Sequence, residues 1–205
     1  MNIKKQLVEV SKLMYQKGMV NAFEGNLSIL FKDKIYITPS GICKGFLKEN
    51  MIIVTDMNGN VIKKSKFKPS SEIKMHLAIY QRQDVSAVIH AHSPYATAFA
   101  IANKPIETKA YSEMMLFFGK IPLSEFGTPS TDEVSIEVLK YAKDYEVILL
   151  ANHGIVSFGK DLYSTFFKLE AAESIAKTLT ITEILGGGKD LSMEKLEEIN
   201  KLRRC

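Results

Sequence analysis

A chain of 205 residues with 46% hydrophobic and 24% charged side chains has the make-up of an ordinary globular protein, long enough to bury a core without staples. Its net charge of +4 is spread along the chain, apart from a small cluster at Lys201, Arg203 and Arg204. No basic stripe interleaved with aromatics is present, which argues against nucleic acid as a partner. Two cysteines, Cys43 and Cys205, make neither a disulfide framework nor a zinc ribbon, and no apolar run approaches the roughly 20 residues a membrane helix needs.

Ile3 to Gln16 carries Leu7, Val8, Leu13 and Met14 at helical spacing, with Gly18 as its stop. An amphipathic helix there speaks against a secretory leader and for a cytoplasmic protein. Leu27–Phe31 and Ile35–Ile37 predict a hairpin across Lys32-Asp33-Lys34, and Met51–Thr55 with Val61–Ile62 predict a second across Asp56 to Asn60. Ser71 to Arg82 reads as a helix. Ser86–Ala91 reads as a strand, followed by a helix with Ser93 as cap and Pro94 at its first position. Ser130-Thr131-Asp132-Glu133 has the form of a capping box and opens a helix to about Lys143.

Glu146–Leu150 and Ile155–Phe158 form a further hairpin across Asn152-His153-Gly154. A long amphipathic helix, Leu162 to Leu185, ends at three glycines, and Ser192 to Leu202 is a short terminal helix. No repeat or linker divides the chain. The expectation is one α/β domain over residues 1–205, with three layers (α/β/α) around a central, mostly antiparallel sheet.

Three of the four histidines fall at the ends of apolar runs: His90 and His92 in His90-Ala91-His92, and His153 in Asn152-His153-Gly154. Residues two apart on a strand share a face, so His90 and His92 point the same way. Buried imidazoles each need a hydrogen-bond partner or a metal. A third imidazole at the end of a neighbouring strand would complete a facial set with one position open, which suits a catalytic zinc better than a structural one. Nitrogen ligation without thiolate favours zinc over manganese or iron. Glu72 could supply a fourth ligand or a base, although a carboxylate in the first turn of a helix is also favoured by the helix dipole. His76 lies one turn further on the same face and is read as a supporting or structural residue.

Three short polar segments could hold an anion: Gly25-Asn26, Thr38-Pro39-Ser40-Gly41, and Ser70-Ser71 before Glu72. Each also has a plain reading, the serines as helix caps and the glycines as turn residues.

Taken together, Gly25-Asn26-Leu27-Ser28, Ile37-Thr38-Pro39-Ser40-Gly41, Pro69-Ser70-Ser71-Glu72, His90-Ala91-His92 and His153-Gly154 resemble, in order, the motifs of the class II aldolase and epimerase family. The resemblance implies a homotetramer with active sites between subunits. It implies that His90, His92 and His153 hold one zinc per subunit, with Glu72 a fourth ligand that leaves when substrate binds and then acts in catalysis. Gly25, Asn26, Ser40, Gly41, Ser70 and Ser71 would cradle a substrate phosphate. The family's fuculose-type aldolases carry glutamate after the paired serines where its epimerases carry aspartate, so Glu72 implies an aldolase. Tyr111, at the matching distance from His92, would be the catalytic tyrosine lent by a neighbouring subunit, although Ala110 to Met115 departs from the family's glycine-rich run.

The implied reaction is retro-aldol cleavage of L-fuculose 1-phosphate, or a related ketose 1-phosphate, to dihydroxyacetone phosphate and L-lactaldehyde. The alternatives on the same scaffold are an L-ribulose-5-phosphate 4-epimerase and a methylthioribulose-1-phosphate dehydratase. A non-catalytic cytoskeletal relative of the fold is disfavoured by the three histidines and Glu72.

Overall fold

The computed structural model describes residues 2–203, so Arg204 of the basic cluster and the second cysteine, Cys205, lie outside the described residues. Seven strands, β1 (Asn26–Phe31), β2 (Lys34–Ile37), β3 (Ile53–Thr55), β4 (Ala87–Ala91), β5 (Leu123–Ser124), β6 (Val147–Leu150) and β7 (Gly154–Gly159), make one sheet in the order β3-β2-β1-β4-β7-β6-β5. Every neighbouring pair is antiparallel except β5 and β6.

Period-two alternation sorts the side chains into two layers. Leu27, Ile29, Ala87, Ile89, Ala91, Leu149 and Ile155 join a core with α1 (Ile3–Gln16), α3 (Pro94–Ile101) and α6 (Leu162–Ile184). Ile35, Ile37, Val88, Ile148, Val156 and Phe158 face α2 (Ile73–Ile79) and α5 (Asp132–Ala142). This is the expected three-layer α/β fold. Two more helices, α4 (Ser112–Phe117) and α7 (Met193–Arg203), pack on each other.

Several local expectations need correction. The second hairpin shrinks to a single bridge between Thr55 and Val61, and Val61 and Ile62 stay exposed. The side chain of Asp56 accepts from the amides of Asn58 and Asn60 and closes the turn without a second strand. Helix α2 is shorter than Ser71–Arg82, because the Ser70 carbonyl and hydroxyl take the amides of Ile73 and Glu72 in a preceding turn. The cap of α5 is Thr131 rather than Ser130, and Glu133 reaches back to the Thr128 amide. Ser93 stands at the cap position of α3 without capping it. The Glu173 carboxylate on α6 accepts from the Tyr95 and Ala96 amides instead, at 2.9 and 2.8 Å. Helix α4 and strand β5 have no signal in the sequence pattern, since neither is long enough to show a hydrophobic period.

Candidate active site

The site is built at one end of the central strands, on the face turned toward α2. Asn26 on β1 stands opposite His90 on β4, and Ser28 stands opposite Val88. His92 follows β4 by one residue and keeps its parity with His90. His153 comes from the short loop joining β6 to β7, where Asn152 adopts φ 56°. Gly154 is what lets that loop approach, since a Cβ there would lie 2.6 Å from the Ala91 carbonyl oxygen and 2.8 Å from His92 Cδ2. Gly25, at φ 73°, is equally constrained, with Val20 Cγ1 2.4 Å from where its Cβ would be. A bridge between Pro39 and Pro69 clips the Ser40 loop to the Ser70 loop, with the Ser40 amide donating to Lys68 O and the Ser70 amide to Thr38 O.

The three imidazole rings stand 4.7, 4.8 and 4.9 Å apart between centroids. One nitrogen from each lies within 4.8 Å of the others, a grouping able to hold a metal ion. Outer contacts set the tautomers. His90 Nδ1 lies 3.0 Å from the Ile155 carbonyl, which only accepts, so Nδ1 carries the proton and Nε2 is a bare lone pair. His92 Nδ1 lies 3.4 Å from Glu24 Oε1, which imposes the same tautomer. The two Nε2 atoms then face each other at 3.0 Å. Glu72 Oε2 is 3.0 Å from His90 Nε2, and Glu72 Oε1 is 3.6 Å from His153 Nε2.

Lone pairs and a carboxylate pressed together repel unless a cation sits among them. The donor set, three nitrogens and a carboxylate without thiolate, therefore fits a divalent metal. His153 Nδ1, buried and without a partner among the described residues, is the one outer nitrogen with nothing to orient it.

Burial, reinforced by His90 alongside, pushes the His153 imidazole down to about 4 and lowers that of His92 as well. Both are thus neutral at ordinary pH, with lone pairs a metal could use. Burial alone would push the Glu72 carboxyl up, but a positive charge shared by His90 and His153 when no metal is bound, together with the Asn26 amide, outweighs it and holds it well below the usual carboxylate range. Glu72 is an ionised base.

A cavity of about 200 Å³ opens over this cluster. Its lining includes Gly25, Asn26, Ser40, Gly41, Ser70, Ser71, Glu72, His90, His92 and His153, so ten of the residues singled out in the sequence meet in one place. Tyr111 does not. It stands at the cap position of α4 and lines a different cavity, between α3 and the end of α6, with Phe99 and Leu179. His76 is fully buried beneath the cavity and is not among the converging imidazoles. It contacts Asn26 Oδ1 through Nε2 at 2.5 Å and Ser28 Oγ through Nδ1 at 2.6 Å.

Two residues with a part in the site escaped sequence reasoning. Glu24 acts on His92 across 68 positions of chain, and no local pattern marks it. Lys44 lines the cavity from a 3₁₀ turn just after the Ser40 loop, where a lysine gives no sign that it will be buried.

Residues 5–180 match the family described as class II aldolase and adducin N-terminal domain, and the chain belongs to that family. Its members include aldolases, and this chain is a lyase of the class II aldolase type. An L-fuculose phosphate aldolase of Methanocaldococcus jannaschii is 40% identical over 183 residues, covering 89% of this chain and 97% of that one. A 5-deoxy-D-ribulose 1-phosphate aldolase of Bacillus thuringiensis is 31% identical, covering 97% and 93%. A solved L-fuculose 1-phosphate aldolase superposes with a TM-score of 0.89 at 32% identity, covering 99% of this chain and 96% of that one.

Proposed function

We propose that this chain is a zinc-dependent aldolase that reversibly cleaves L-fuculose 1-phosphate, or a related ketose 1-phosphate, to dihydroxyacetone phosphate and a short aldehyde. The observation that carries the reading is the meeting of three metal-competent imidazoles, an ionised carboxylate and three polar loop segments in one cavity. His90, His92, His153 and Glu72 would hold a metal ion, which would supply a Lewis acid for the negative charge that develops on the ketone fragment.

The chain's own residues do the rest. Asn26, Ser40, Gly41, Ser70 and Ser71, with Gly25 giving the backbone its bend, orient the phosphoryl group and so fix the C3–C4 bond over the imidazoles. As that bond breaks, its electron pair remains on C3 and the C4 hydroxyl loses its proton. Glu72, standing on the imidazole cluster, removes a proton from C3 in synthesis; in cleavage it first takes up a proton from solvent and then delivers it to C3. One proton leaves C4–OH and one is added at C3, so the reaction is proton-neutral overall. Tyr111 lies outside this chain's histidine cavity, so a Tyr111 phenol handling the C4 proton comes from a second copy. That fits a homotetramer with active sites between subunits.

The deciding experiment is a coupled assay for dihydroxyacetone phosphate on a panel of ketose 1-phosphates, with and without chelator. Chelator-sensitive release is expected, with lactaldehyde from L-fuculose 1-phosphate or acetaldehyde from 5-deoxy-D-ribulose 1-phosphate. The 31% identical relative named for the latter sugar places it on the panel. Epimerised sugar without free dihydroxyacetone phosphate, or turnover untouched by chelator, would reject the reading.

A further inference from the structure

Lys44 is among the largest fully buried side chains, only 2% exposed, yet it is a lysine. Its Nζ donates to the Ile42 carbonyl at 2.9 Å, and among the described residues no carboxylate lies within ion-pair distance of it. The backbone that carries it is clamped. Tyr15 of α1 packs so closely on Gly45 that a Cβ there would fall 2.5 Å from the Tyr15 ring, and Phe46 sits against the same ring. An ammonium kept dry with one neutral acceptor is unfavourable unless something anionic completes it. Burial pushes the Lys44 ammonium down to about 8, with Cys43 opposing. A nearby anion would restore it.

The cavity that Lys44 lines is polarised to receive such an anion. Glu24 and Glu72 gather at its imidazole end. The hydroxyls of Ser40, Ser70 and Ser71 lie among the other lining groups, and among the described residues Lys44 is the only cationic side chain in the lining. Several neutral donors around one cation suit a tetrahedral dianion better than a planar carboxylate. We infer that Lys44 is the cation that neutralises the substrate's phosphoryl group and sets the preference for phosphorylated over free sugars. The inference rests on the proposed phosphate cradle, and it adds a charged residue to a set of neutral donors.

The test reads binding without turnover, so a protein that proved inactive as an aldolase would sink the proposed function and still decide this point. Inorganic phosphate is titrated by calorimetry into the wild type and Lys44→Met. Methionine fills the space without a charge, so the free variant should melt no lower than wild type, while phosphate affinity should fall at least tenfold. A folded Lys44→Met that binds phosphate as tightly as wild type overturns the assignment. Should the variant fail to fold, the wild type carries the test alone. Phosphate is already dianionic at about pH 8, so affinity should decline above that pH as free Lys44 loses its proton, and a flat profile to about pH 9.5 overturns it. Competition settles which phosphoryl group is meant. Dihydroxyacetone phosphate should displace inorganic phosphate, and simultaneous binding of both would place the phosphate elsewhere and reject the inference.

Discussion

Two groups of buried imidazole lie close together in this molecule and are treated in opposite ways. His76 has both ring nitrogens bonded to neutral groups. Tyr80 OH lies 2.6 Å from Ser28 Oγ, Ser28 Oγ 2.6 Å from His76 Nδ1, His76 Nε2 2.5 Å from Asn26 Oδ1, and Asn26 Nδ2 3.4 Å from Glu72 Oε2. Donors can be assigned in one consistent direction along that run, ending on the carboxylate. His90, His92 and His153, by contrast, turn their bonding capacity toward one another and toward Glu72. A satisfied histidine holds structure together. A converging set of lone pairs is suited to hold a metal ion.

The sharpest way to break the contrast is to remove one of the converging rings. His92→Ala should abolish stoichiometric metal, a loss larger than the roughly 10–100-fold that follows removal of an outer hydrogen-bond partner. Metal analysis of the purified variant is the check, and His76→Gln should by comparison keep its metal. Glu72→Gln should lower kcat by about 10²–10⁴-fold, as expected for loss of a general acid–base, while phosphate binding measured by calorimetry stays intact. Normal turnover in that variant would remove Glu72 from the mechanism. Glu24→Gln should weaken metal affinity roughly tenfold through the tautomer and orientation of His92, read by competition with a chromogenic chelator.

The structural side of the contrast is tested by stability. His76→Ala strands Ser28 and Asn26 as buried polar groups, about 1–3 kcal/mol for each, and should lower Tm by many degrees without abolishing the metal site. Burial, together with His90, pushes the His76 imidazole down to about 3 from an unfolded value near 6.5. Between those values the unfolded chain binds the extra proton. The His76 contribution is therefore complete above about pH 6.5 and is lost as pH falls toward 3. Urea unfolding at pH 7 and pH 5 should show wild type losing stability on acidification by more than His76→Gln does. The smallest effect is expected at Ser71, which is exposed. Ser71→Ala should raise KM several-fold, roughly one hydrogen bond's worth, with kcat nearly unchanged.

What could be read in advance had a local period behind it. His90-x-His92 was legible because parity on a strand dictates a shared face, and β4 supplies that strand. The hairpin bearing His153 was legible because two apolar runs flank a turn that tolerates a left-handed Asn152. The two-residue strand β5 and the six-residue helix α4 were not, since elements that short are formed by their neighbours rather than by their own pattern. Caps escape local pattern for a related reason: Glu173 serves α3 from 77 and 78 residues away.

By itself the sequence determined the layer architecture, the shared face of His90 and His92, the turn that carries His153 and the polar loop segments, because each rests on patterns local to its own segment. The tertiary structure alone decided that Tyr111 stands apart from the histidine cavity, that Glu24 bears on His92, that His76 is satisfied, and that Lys44 lies buried at the site without a counter-ion among the described residues. All four depend on which distant segments the folded sheet brings together, and on the loss of water around charges once they meet.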